Sequence, residues 1–336
     1  MYLSMVVFEE CLAEYHPRMT GHSDLIKIKF MGVQEAMEGQ EYLPDHMLLE
    51  HVEYFVSHPV PAAWGCLCIG EPPEDLFKNN ICLIFPENTD RTSLYHDVQK
   101  IFFLYNSWEM EIRKAMQRNA TLEEMCNLCI PIFEKPIFIH DRNNELLAIA
   151  NEMAGQFSWQ YDETFDKYYL PLEILNTFKS SDEYHKTLHT YGAHVFSAKA
   201  TGYRTLYVNL RIEWVYVGRV CLDEIGTPIR KRDYELLEFF ADNIALAMQQ
   251  GMLLVSDASN VLSILFKGMI DGKSYTKNQL AKPFSYYKWH IDDMFQCITI
   301  FCRKSDNAIH TATNLTHRLA NMFPNSCVFR NEYQII

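Results

Sequence analysis

The stretch Gly268-Met269-Ile270-Asp271-Gly272-Lys273-Ser274 ends in the residues of a phosphate-binding loop, so nucleotide chemistry is the first possibility to weigh. Such a loop follows a strand and opens a helix, whose free N–H groups and positive pole face the phosphates. This one is a residue short of that spacing. Val261, Leu262, Leu265, Met269 and Ile270 recur at helical spacing through it, so its glycines close a helix. That end carries the negative pole, and the segment is read as a helix stop at Gly272.

Cys126 and Cys129 have the C-x-x-C spacing of a zinc pair or a redox motif. No second pair answers at finger-like distance, and both lie inside a predicted helix, so they are expected to be core thiols. Cys66 and Cys68 alternate along a predicted strand and share one face. His185 and His189 stand four apart on a predicted helix, with His194 beyond, so three imidazoles could converge on a metal. Zinc hydrolases of that pattern place a general-base Glu directly after the first His, where this chain has Lys186. Neither a G-x-S-x-G elbow nor a G-x-G-x-x-G turn is present. No enzyme, no metal and no cofactor are expected.

These residues sit in a chain of 336, long enough for two or three domains with ordinary cores. Its 48% hydrophobic and 22% charged content is that of a globular protein. The net charge of −13 repels phosphate backbones unless a basic face overrides it. The one basic triplet, Arg230-Lys231-Arg232, is followed at once by Asp233, Glu235 and Glu238. No apolar run approaches the ~20 residues that span a bilayer, and no basic leader precedes the first apolar stretch. The expectation is a cytoplasmic protein that does not meet the membrane and keeps its 10 cysteines reduced.

Residues 1–89 read as a mixed α/β domain with strands at 25–30, 62–70 and 81–85. A linker helix then covers 90–119, with Leu94, Val98, Ile101, Phe102, Tyr105, Trp108, Ile112 and Met116 forming one apolar stripe. The capping box at Thr121 to Glu124 opens a short helix. A hairpin follows around Asp141-Arg142-Asn143-Asn144, and then come three strands, "AHVFSA", "TLYVNL" and "WVYVGRVCL". In the second of these Thr205, Tyr207 and Asn209 alternate with Leu206, Val208 and Leu210, giving one polar and one apolar face. Thr227-Pro228 is placed to cap a second long helix, to about residue 255. Residues 256–336 read as helix, helix, strand "FQCITIFC", helix "AIHTATNLTHRLANMF", strand "CVFR" and an incipient strand "YQII".

The run 101–151, with its Trp-bearing helix, short helix and Pro-Ile-Phe-Ile-His-Asp hairpin, resembles the sensor region of bacterial transcription regulators of the PucR and CdaR type. Residues 215–250 look like the closing strand and final helix of a GAF domain, and 259–303 resemble the opening of the degenerate GGDEF-like domain of the same regulators. The resemblance implies an α+β, multidomain chain: a GAF-like antiparallel sheet flanked by helices over 120–255, and a partial α/β GGDEF-like domain over 256–336. It also implies a homodimer, a small-molecule metabolite as ligand, and DNA reached only through a C-terminal helix-turn-helix that this sequence does not contain. No Gly-Gly-Asp/Glu-Glu-Phe turn is present, so the last domain is expected to be inactive.

The ligand is expected between the sheet and residues 155–190, against Trp159, His185, His189, His194, Tyr207 and Asn209, with Arg204 anchoring a carboxylate or phosphate. Leu237, Phe240, Ile244 and Met248 are expected in a parallel dimer seam. The alternative is an interaction module whose GAF-like pocket is filled by its own side chains.

Overall fold

The computed structural model describes Met1 to Ile336 except residues 22, 40, 119, 143, 164–166, 213–214, 250–257, 287, 302–314, 317–318, 320–321, 324–325 and 332–333. The chain divides into two compact units. The first comprises Met1–Ala115, Pro131–Phe133 and Thr227–Leu237, and the second Met116–Ile130, Glu134–Gly226 and Glu238–Ile336.

In the first unit, β1 (Leu3–Ser4) runs into α1 (Met5–Cys11), and β2 (Arg18–Gly21), β3 (Lys29–Phe30), β4 (Gly32–Glu35) and β5 (His46–His51) follow. After α2 (Val52–Ser57) come β6 (Gly65–Ile69), β7 (Ile81–Phe85) and α3 (Arg91–Gln117). The sheet order is β2-β7-β6-β5-β4, with β4 to β7 parallel and β2 antiparallel at the edge. All ten residues of β6 and β7 are buried, as a parallel pair covered on both faces requires. Cys66, Cys68 and Cys82 pack there with Leu48, Phe55 and Phe77, and burial pushes the Cys66 and Cys82 thiols upward.

The strand expected at 25–30 is mostly a 3₁₀ helix, Ser23–Lys27, with only Lys29–Phe30 extended. Its alternation misled because Ile26 is exposed and Ile28 only half-buried, leaving Phe30 as the residue that reaches the core. The stripe on α3 is buried as expected, from Leu94 and Val98 at 0% exposure to Met116 at 8%.

The second unit starts with α4 (Leu122–Asn127), where Thr121 and Glu124 form the reciprocal capping box. The short α5 (Ile130–Phe133) leads to the hairpin β8 (Ile137–Asp141) and β9 (Leu146–Ala150). A small ribbon, β10 (Gln160–Asp162) with β11 (Lys167–Tyr169), precedes α6 (Leu172–Lys179) and α7 (Asp182–Thr187). Then come β12 (Ala193–Phe196), β13 (Thr205–Ile212), β14 (Val215–Asp223) and α8 (Lys231–Gln249). The sheet is antiparallel throughout, in the order β12-β13-β14-β8-β9. Gly218 is needed at the β14–β8 seam, because a Cβ there would lie 2.4 Å from the His140 carbonyl oxygen, a backbone atom that cannot yield.

Helix α8 starts three residues after Pro228, where the Arg230 N–H donates to Asp233 Oδ2 at 2.9 Å. Leu237, Phe240 and Ile244 are 0% exposed and Met248 is 5% exposed within the single chain. This corrects the expected dimer seam: the stripe already faces the chain's own interior and leaves nothing for a partner to cover.

Beyond residue 257, α9 (Ala258–Ile270) ends as expected at Gly272, whose φ of 85° the Lys273 N–H seals by donating to the Gly268 carbonyl at 2.8 Å. After α10 (Lys277–Tyr286), among the described residues of the expected strand at 295–302, β15 (Ile300–Phe301) is extended, and it pairs with β17 (Gln334–Ile335) and through it β16 (Arg330–Asn331). The helix expected at 308–323 lies largely outside the described residues. Among the described residues no helix is long and apolar enough to cross a membrane.

Candidate functional site

Antiparallel pairing in the second unit sets side chains into rungs across one face of the sheet. One rung is Asn209, Arg219 and His140, contributed by β13, β14 and β8. The next is Tyr207, Cys221 and Phe138, extended by His194 on β12. The third pairs Thr205 with Asp223. The alternation read in "TLYVNL" therefore holds: Tyr207 packs against Phe138, Leu170, Leu175, Phe178, Phe196 and Cys221, with Trp159, Phe157 and Tyr184 at the margin of that cluster.

Arg219 is the residue that the sequence reading missed. The residue is 4% exposed. Nε donates to Asn209 Oδ1 at 2.9 Å and Nη2 to Thr187 Oγ1 at 2.9 Å. The same group lies 4.4 Å from the Tyr207 ring centroid, 5.7 Å from Tyr184 and 6.0 Å from Tyr216. Among the described residues no carboxylate pairs with it. Burial raises the Tyr184, Tyr207 and Tyr216 phenols, which keeps them neutral. Burial, and then the Arg219 charge, lower His140 to about 3. That imidazole is neutral and donates from Nδ1 to the Asp141 carbonyl oxygen at 2.8 Å. A buried cation is thus held by neutral acceptors and aromatic faces alone. The signal was present as an Arg in the largely apolar strand that ends at Asp223, in register with Asn209, but register between strands is not written in either strand alone.

Asn209 is a brace. Its Nδ2 donates to the Thr187 carbonyl at 2.7 Å, the Thr190 carbonyl at 3.0 Å and Thr190 Oγ1 at 3.1 Å, which ties the end of α7 to the sheet while Oδ1 holds Arg219. Asn209→Leu will lower stability by about 2–4 kcal/mol in urea unfolding, because it strands a buried charged donor and two carbonyls at once.

Trp159 packs on Phe138 at 5.3 Å and Phe157 at 5.2 Å between ring centroids. Its Nε1 is buried without a hydrogen-bond partner among the described residues. The remaining expected contacts fall outside this interior. His185 is exposed on α7, His189 lies in the turn after that helix, and exposed His194 has Nε2 3.0 Å from the Tyr191 carbonyl oxygen. No group of three His, Cys, Asp or Glu side chains among the described residues could hold a metal ion. Arg204 is at the surface and grips Glu224, with Nε on Oε2 at 2.6 Å and Nη2 on Oε1. Cys126 and Cys129 are fully buried, as core thiols.

At the other end of the face, Asp223 is 0% exposed. It accepts from Thr205 Oγ1 at 2.7 Å and Gln156 Nε2 at 2.9 Å, and burial lifts its carboxyl to about 6.

Part of the chain is similar to solved GAF domains. The cofactor-binding GAF domain of the nutrient sensor CodY from Clostridium difficile is 12% identical, over 43% of this chain and 97% of that one, with a TM-score of 0.31. The phycoerythrobilin-bound GAF domain from a cyanobacterial phytochrome is 9% identical over 43% and 93%, with a TM-score of 0.33. A phycocyanobilin-bound GAF domain, also from a cyanobacterial phytochrome, is 11% identical over 45% and 97%, with a TM-score of 0.32. No family model and no curated protein matches the chain.

Proposed function

We propose that this chain is the sensing portion of a regulator similar to the PucR and CdaR type, taking a small metabolite on the sheet face roofed by α6 and α7. The observation that carries this reading is the polar rung of Arg219, Asn209 and His140 set into an aromatic interior. A stable core gains nothing from an unneutralised cation, whose desolvation costs several kcal/mol, whereas a binding face needs a few polar groups in apolar surroundings. Homodimerisation, and control of transcription through a DNA-binding domain supplied beyond this sequence, belong to the same proposal and rest on the resemblance of 101–151, 215–250 and 259–303.

A second reading, an interaction module with a self-filled pocket, is favoured by the close packing of Phe138, Phe178 and Tyr207 at 4%, 9% and 2% exposure. Native mass spectrometry of the purified protein separates the two. The sensing reading expects a dimer carrying a reproducible small extra mass. A bare monomer that gains no mass when incubated with a metabolite extract would leave the self-filled module.

A further inference from the structure

Within the sensing reading, on which this step rests, we infer that the ligand is a small carboxylate with an apolar body and that Arg219, not the surface residue Arg204, receives its carboxylate. Arg219 Nε and Nη2 are committed to Asn209 and Thr187, while Nη1 makes no hydrogen bond among the described residues and so remains to be given to a ligand oxygen. The three phenols and His140 on its surroundings are all neutral, so no internal group competes for the charge. A guanidinium held rigid by two fixed acceptors is prepared for carboxylate recognition, since little side-chain freedom is left to lose.

The face also fixes the ligand's direction. Asp223 lies four residues along the same strand, roughly 13 Å away, and its carboxylate repels an anion from that end. The apolar body must therefore run from Arg219 toward Phe138 and Trp159, across the aromatic rung. The Trp159 N–H, buried and without a partner, suits an acceptor on that body.

The test compares benzoate with its neutral isostere benzamide in thermal unfolding of the full chain, with acetate at equal concentration as the salt control. At ten times its Kd, benzoate should raise the midpoint by about 2–4 °C. Benzamide and acetate should not. Arg219→Gln should lose the benzoate response and Arg219→Lys should keep part of it, each variant being checked for folding by near-UV circular dichroism. Should neither variant fold, the benzoate and benzamide contrast in the unmodified protein decides alone. Equal stabilisation by both probes, or an undiminished benzoate response in folded Arg219→Gln, would overturn the carboxylate assignment while leaving a small-molecule face in place. No shift with any probe would overturn it too, leaving Arg219 a structural strut, and absence of a retained mass in the native spectrum would then remove the sensing reading as well.

Discussion

Phe240→Glu or Ile244→Glu will yield chain that fails to accumulate as folded protein, and not a folded monomer. Both side chains are 0% exposed, on a helix whose other apolar residues Leu237 and Met248 are also buried. Truncating a buried Phe to Ala already costs about 3–5 kcal/mol. Replacing it with a carboxylate adds the desolvation of an unpaired charge, so the total meets or exceeds the 5–15 kcal/mol that holds an ordinary protein folded. Soluble yield and far-UV circular dichroism check this, and a well-folded monomer from either variant would restore the seam. Exposed apolar side chains elsewhere, such as Phe103 at 75%, offer the neutral comparison: Phe103→Glu should leave folding intact.

The seam residues show what a sequence can and cannot say. A stripe at spacing of three and four states that one helix face is buried, and the α8 stripe is. It does not state what buries it, because a helix packed on its own chain and one packed on a second copy need the same residues. The strands of the five-stranded antiparallel sheet were legible for a different reason. Their alternation is local, and turn residues such as those around Asn144 bracket each run. The strand expected at 25–30 failed because alternation without burial carries no force. Most of the candidate site lay beyond reach for a third reason: Arg219 meets Asn209 and His140 only through pairings of three strands separated by up to seventy-nine positions of chain. Arg204 is the anchor the sequence suggests, yet it lies just before β13, one residue out of step with Thr205, Tyr207 and Asn209, and is at the surface on Glu224. What could be read was the polar face of "TLYVNL", whose Tyr207 and Asn209 lie on the same sheet face as Arg219.

The two buried titrating groups on that face should make the acid unfolding profile unusually flat in its middle, and one substitution should remove the flatness. His140 has its folded pKa lowered from 6.5 to about 3 by burial and by Arg219. Its stabilisation is therefore complete above 6.5 and is lost as pH falls toward 3, by about 4–5 kcal/mol in all. Asp223 has its folded pKa raised from 3.8 to about 6 by burial. Its contribution has the opposite sign: it is fully present below 3.8 and is lost as pH rises through 6, by about 3 kcal/mol. Between 3.8 and 6 the unfolded chain binds a proton at His140 while the folded chain has already bound one at Asp223, so the two slopes cancel. Asp223→Asn removes one of them. The variant should lose about 1.4 kcal/mol of stability per pH unit, relative to the unmodified protein, on going from pH 6 to pH 4. All other carboxylates titrate alike in the two proteins and drop out of the difference. At pH 7 the two proteins should lie closer, because relief of the buried charge is offset by an amide that accepts fewer of the bonds from Thr205 and Gln156. Urea unfolding at half-unit steps from pH 3.5 to 7.5 reads the slope. Parallel curves for the two proteins would mean that Asp223 is ionised throughout that range, and the negative pole that orients a ligand's carboxylate toward Arg219 would then persist into acid. A difference of the stated size places that pole's disappearance near pH 6, below which an anion meets only the Arg219 charge on this face.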